Sequence, residues 1–182
     1  MFEIKFKVLD SVELLKRIDL VQFENEYSSD IRGLLSLNFN ENIYGFFDEN
    51  LPNEVEGMFE ELLISWFQLL NKVVRNFNEH TYIALKTLED AFTWIEFSVK
   101  GKNTLIVSLI NVEPSTGSMD FIVTKPFESF SYSNWGDVEI PIEEFSNEVI
   151  NKTKLLIHFI RETNSNLLQS KSIRELEEFI NN

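Results

Sequence analysis

The feature that most constrains the fold of this 182-residue chain is the segment 54–77, in which apolar side chains recur at helical spacing. The stripe covers about half of a helix surface, so such a helix needs extensive burial to be stable. Asn53 is suited to cap its start, and Lys72 and Arg75 near its end suit the helix dipole. We therefore predict a helix over 54–77 that packs against a sheet, with Trp66 in the core.

Strand-like segments occupy most of the remaining chain. Residues 2–9 alternate apolar and charged side chains, which is typical of a half-exposed strand. Further strands are predicted at 31–39, 42–47, 80–88, 91–99, 104–112 and 121–127, with tight turns at 40–41 and 100–103. Short helices are predicted at 11–18 and 172–180, and a second long helix from Pro141 onward.

This order separates the long helices from runs of consecutive strands, which is typical of the α+β class. We predict a mostly antiparallel sheet packed by two long helices, with a short C-terminal helix. The sequence contains no internal repeat or linker, so residues 1–182 are predicted to form one domain.

The negative charge is concentrated in two stretches of the chain. The formal net charge is −14, and residues 33–71 and 126–151 contain thirteen of the thirty acidic residues and no Lys or Arg. Such segregation predicts a directed field that speeds encounter with a basic protein. It also disfavours nucleic acid and anionic membranes as partners. Solubility and the preference of acids for helix starts are the alternative explanation.

We predict that aromatic and acidic residues of these stretches bind the partner, because interfaces concentrate affinity at aromatic anchors ringed by charge. The predicted residues are Trp135, Asp137, Glu139, Glu143, Glu144, Glu148, Asp48, Glu49, Glu54 and Glu56. Trp135 is interpreted equally well as a cover for the core edge. Glu144 and Glu148 are expected to point outward from the second long helix, with Glu148 spaced to pair with Lys152.

The sequence offers little that suggests catalysis. There is no cysteine, the two histidines lack a second ligand at metal spacing, and the glycines are isolated rather than arranged as a phosphate loop. Paired carboxylates could serve a hydrolase only within a pocket. We therefore predict a protein that is not an enzyme and uses no metal or cofactor.

No apolar run is long enough to span a membrane, and the first ten residues lack the apolar core of a secretion signal. These features predict a cytoplasmic protein without a membrane partner.

Residues 92–168 combine a hairpin ending in LIVSLIN, a Trp-bearing loop, the strand–helix element DVEIPIEEFSNEVINKTKLLIHFI and a trailing TNSNLL. This pattern, which covers under half of the chain, resembles immunity proteins encoded beside bacterial polymorphic or contact-dependent toxins. The resemblance implies a cytosolic protein that binds a cognate toxin domain, often a basic nuclease, and blocks its active site or substrate groove. The alternatives are an α+β domain whose acidity serves solubility only, and a nucleic-acid mimic that inhibits a defence enzyme. The oligomeric state stays open.

Overall fold

The computed structural model describes residues 1–51, 57–113 and 120–181. The strands are β1 (Phe2–Val8), β2 (Arg32–Phe39), β3 (Asn42–Phe46), β4 (Glu61–Leu62), β5 (Tyr82–Lys86), β6 (Thr93–Lys100), β7 (Thr104–Asn111), β8 (Ile122–Val123), β9 (Ser131–Tyr132) and β10 (Val138–Pro141). The α-helices are α1 (Val12–Leu15), α2 (Leu20–Glu26), α3 (Leu63–Asn76), α4 (Ile142–Asn164) and α5 (Lys171–Asn181), with a 3₁₀ helix at Ser165–Gln169. The predicted α+β class is confirmed.

In the described part of the chain the strands form two antiparallel sheets rather than the single sheet predicted. The four-stranded sheet has the order β1-β2-β3, with β4 also paired to β2. The six-stranded sheet has the order β10-β7-β6-β5-β8, with β9 also paired to β7. The two predicted tight turns are confirmed: Asn40 joins β2 to β3 and Gly101 joins β6 to β7, each with a positive φ.

One large core lies between the two sheets and the long helices. Four phenylalanine rings connect the parts of this core. The centre of the Phe2 ring lies 4.8 Å from that of Phe39 and 4.7 Å from that of Phe145. The Phe145 ring in turn lies 5.2 Å from the Phe97 ring. These contacts join both sheets to α4. Trp66 is fully buried in the same core, as predicted.

Helix α3 begins at Leu63, later than its predicted start. The two residues before it pair with β2 as β4. The carboxylate of Asp30 caps the helix, accepting hydrogen bonds from the backbone N–H groups of Ile64 at 2.8 Å and Ser65 at 3.0 Å. A carboxylate at this position satisfies free N–H groups and suits the helix dipole. The predicted cap Asn53 lies outside the described residues.

Helix α4 follows Pro141 directly, close to the predicted start, and its apolar side chains Phe145, Val149, Leu156 and Ile160 are buried. Among the described residues, no helix has both the length and the apolar character needed to cross a membrane.

Candidate functional site

Two of the predicted binding residues, Glu144 and Glu148, lie along the free edge of the four-stranded sheet. The Glu148 carboxylate accepts a hydrogen bond from the N–H of Ile4 at 2.9 Å, and Glu144 accepts one from the N–H of Phe2. Residues four positions apart on a helix are separated by about 6 Å along its axis, which is close to the roughly 6.6 Å between alternate residues of a strand. The pair therefore satisfies outward N–H groups of β1 and does not form the outward ridge predicted. The predicted ion pair of Glu148 with Lys152 is present at 3.6 Å.

The other predicted residues near the start of α4 differ in their surroundings. Glu139 is exposed and forms an ion pair with Lys100 at 2.7 Å, and Glu143 is exposed in the first turn of the helix. The half-buried Trp135 ring packs 5.4 Å from the Phe39 ring, and its indole N–H has no hydrogen-bonding partner among the described residues. Trp135 thus covers the core edge, which is the alternative that the sequence left open.

The acids of the first stretch lie elsewhere. Asp48 and Glu49 are exposed beyond the end of β3, whereas Glu144 lies at the opposite end of the same sheet, beside the start of β1. The length of β3 separates the two groups by about 13 Å or more. They therefore lie toward opposite ends of the four-stranded sheet and not side by side. Glu54 and Glu56 lie outside the described residues.

Glu61, also in the first stretch, is buried rather than exposed. Only 5% of its surface is accessible, and its carboxyl group accepts a hydrogen bond from the Trp66 indole N–H at 2.6 Å. Burial, followed by the neighbouring Glu89 carboxyl group, raises the pKa of Glu61 to about 8. Glu61 therefore contributes little negative charge at neutral pH.

A second apolar cluster covers the outer face of the six-stranded sheet, the face turned away from the core. Side chains alternate between the two faces, so Tyr82, Ala84, Trp94 and Ile110 point outward and pack together. Phe127 lies over this cluster, with its ring 4.9 Å from that of Trp94 and nearly perpendicular to it. Phe127 thus partly covers the outer face.

Exposed aromatic side chains are concentrated on and beside this face. Phe92, Phe121, Phe130 and Tyr132 are between 42% and 52% exposed. Two adjoining cavities, of about 250 and 390 Å³, open beside them and share part of their lining. We call the combined depression the aromatic groove, lined by Phe92, Val112, Glu113, Pro126, Phe127, Glu128, Ser129 and Phe130.

Two carboxylates lie on the same outer face. Glu96 is the cross-strand neighbour of Ser108, whose hydroxyl oxygen accepts a hydrogen bond from the Asp137 N–H at 3.0 Å. The Tyr132 hydroxyl donates to the Asp137 carboxylate at 3.4 Å. Burial raises the pKa of Glu96 above its ordinary value; the adjacent Tyr82 hydroxyl lowers this pKa in part, and the charge of Asp137 raises it. Asp137 is therefore the predicted binding residue that the structure brings beside the aromatic side chains.

The outer face combines apolar depressions, exposed aromatic rings and carboxylates, which is chemistry suited to binding a cationic protein surface. In the described part of the chain, no group of three or more His, Asp or Glu side chains is arranged to hold a metal ion. His158 is exposed on α4, and His80 lies in the connection between α3 and β5.

Sequence reasoning missed Phe92, Glu96 and the aromatic groove. A signal was present, because the alternation in FTWIEFSV places Trp94 and Glu96 on one face of their strand and the core residues on the other. Which segment would lie over that outer face depends on contacts of Phe127 that no local pattern indicates.

No protein-family model, curated protein sequence or solved structure matches this chain. Function is therefore inferred from the chemistry of the surface described above.

Proposed function

We propose that this chain is a non-enzymatic, acidic binding protein that neutralises a cognate basic toxin domain of nuclease type. In this proposal the outer face of the six-stranded sheet docks onto the toxin domain and occupies its active site or substrate groove. The observation that supports it is the concentration of exposed aromatic side chains beside carboxylates on that one face.

The aromatic groove would supply most of the affinity. Truncating one aromatic side chain at the centre of a protein interface often costs roughly 2 kcal/mol or more of binding free energy. Phe130 and Tyr132 are suited to this role because their rings meet edge-to-face, 5.7 Å apart, and project from one short segment. Glu113 and Glu128 in the lining of the groove would favour a cationic partner over an anionic one.

The net charge of −14 would act at longer range. A basic nuclease domain attracts phosphates through its groove, and the same field would draw in an acidic inhibitor. Asp137 lies beside Tyr132, and Glu139 is exposed two residues further along the second acidic stretch, so both remain binding residues in this proposal. Because Glu144 and Glu148 bond to β1, we assign them a structural role instead.

The proposed site of action is the cytoplasm, where a producing cell meets its own toxin before export. The proposal requires no membrane, nucleic acid or cofactor.

The test is to mix the purified chain with the toxin domain encoded beside it and to measure both complex formation and residual nuclease activity. We expect a stoichiometric complex, loss of nuclease activity, and an association rate that falls steeply as salt is raised. Phe130→Ala with Tyr132→Ala should weaken binding by more than about tenfold. The matched control is Leu155→Ala, which removes an equally exposed apolar side chain from α4 and should leave binding unchanged. A chain that neither binds nor inhibits such a domain would leave solubility as the explanation of its acidity.

A further inference from the structure

The outer face carries a pair of carboxylates that lack a counter-ion within the described structure. Glu96 on β6 and Asp137 before β10 lie on either side of Ser108, and each carboxylate is close enough to Tyr132 to raise the pKa of its hydroxyl. Neither forms an ion pair with a described Lys or Arg. The nearby Lys100 is bound to Glu139 instead.

A buried hydroxyl beside this pair also lacks a partner. Tyr82 is only 8% exposed, and its hydroxyl lies beside the Glu96 carboxylate and the Phe127 backbone. It nevertheless completes no hydrogen bond of ordinary geometry with any described residue. Buried hydroxyl groups are nearly always satisfied, so an unsatisfied one beside a carboxylate points to a group that the site can still accept.

An aromatic wall completes the arrangement. The Tyr132 ring lies directly against Gly136, so closely that a Cβ at that position would be 2.6 Å from the ring. Glycine at this position lets the ring lie flat beside Asp137, to which its hydroxyl is bonded. The Tyr132 ring and the Asp137 carboxylate are therefore held together, across Ser108 from Glu96.

We infer that Glu96, Asp137, Tyr82 and Tyr132 form a subsite for a single arginine side chain of the partner protein. This inference rests on the proposed function and names the group that the outer face recognises. A guanidinium group carries five N–H donors in one plane, so it can bond to two carboxylates and to the Tyr82 oxygen while its face lies against the Tyr132 ring. It would also supply the positive charge that the half-buried Glu96 carboxylate and the exposed Asp137 carboxylate lack.

The test uses the intact chain and the blocked peptide acetyl-Gly-Arg-Gly-amide, followed by amide chemical shifts in NMR spectra. We expect saturable shifts at Gly136, Asp137 and Glu96, with a dissociation constant in the millimolar range, as expected for one side chain. The matched peptide acetyl-Gly-Gln-Gly-amide should give none. Glu96→Gln with Asp137→Asn should weaken arginine binding at least about tenfold, because both charge-assisted bonds are lost. Glu162→Gln, which changes an exposed carboxylate of α4, should leave it unchanged.

Three results with the peptides would overturn the subsite: no saturable shift with the arginine peptide, equal shifts with the glutamine peptide, or arginine shifts that persist in the double variant. Calcium chloride that saturates the same amides at lower concentration would also overturn it, in favour of a metal site. If the double variant does not fold, the comparison of the two peptides on the wild-type chain still decides. Because no toxin is present in this titration, its outcome is independent of the inhibition assay, and either proposal can fail without the other.

Discussion

Replacing Glu61 by Gln should make the protein more stable at neutral and alkaline pH. Burial raises the pKa of Glu61 from 4.5 to about 8, and the Glu89 carboxyl group adds to the shift. The folded chain thus holds a proton that the unfolded chain has already released, so stability falls as pH rises from about 4.5 to about 8. Gln keeps the shape of the protonated acid and can accept the hydrogen bond from Trp66 without ever ionising.

The magnitude follows from the size of the shift. One pKa unit corresponds to about 1.36 kcal/mol, so a shift of this size makes the wild-type chain lose about 3 kcal/mol between pH 5 and pH 8. The Glu89 carboxyl group contributes part of the shift at Glu61, so we expect the advantage of Glu61→Gln over the wild type to grow by about 2–4 kcal/mol across that range. The assay is urea unfolding at a series of pH values.

A matched control is Glu143→Gln, which changes an exposed carboxylate. Its free energy of unfolding should depend on pH in the same way as that of the wild type. The indole N–H resonance of Trp66 should titrate with a midpoint near the pKa of about 8 in the wild type and stay constant in the Gln variant. A stability difference between wild type and Glu61→Gln that stays constant from pH 5 to pH 8 would refute the reasoning.

Three further substitutions test how the structure holds its elements in place. Asp30→Ala removes the distant cap of α3 and should lower the free energy of unfolding by about 2–4 kcal/mol in urea, whereas Asp30→Asn should cost less. Glu144→Ala with Glu148→Ala frees N–H groups of β1, so we expect about 1–3 kcal/mol of destabilisation and concentration-dependent association in light scattering; Glu143→Ala should cause neither. Gly136→Ala pushes away the neighbouring tyrosine ring, so it should abolish the arginine-peptide shifts while circular dichroism stays unchanged; unchanged shifts would show that the ring is not part of the subsite.

Local periodicity was sufficient to predict the elements whose burial follows their own sequence pattern. The alternation of residues 2–9 predicts β1, and the apolar segments on either side of Gly101 predict the β6–β7 hairpin; both elements are present. Both depend on side chains that alternate between two faces over short distances. The α+β class followed from the order of such elements.

The errors arose where distant residues determine the local structure. The start of α3 was misplaced because its cap, Asp30, precedes the capped N–H groups by more than thirty residues. Glu144 and Glu148 were read as an outward ridge because nothing near them in the sequence reveals the edge of β1, more than 140 residues away. A charge pattern indicates which residues carry charge, but their partners depend on the tertiary fold.

The division of the strands into two sheets could not be predicted either. Pairing partners in a sheet are set by non-local contacts, such as β10 beside β7 across the intervening segment. The outer face with Glu96 exists only because β5, β6 and β7 lie side by side, and Phe127 packs over it.

The most direct test of the proposed binding surface is hydrogen–deuterium exchange of the chain alone and in complex with the basic toxin domain that the proposed function requires. We predict that binding slows exchange in residues 92–96 and 126–137, which carry the aromatic groove and the arginine subsite. Exchange in α5 and at the β1 edge should stay unchanged. Protection confined to α4 or to residues 41–51, with the outer face of the six-stranded sheet unaffected, would contradict the account.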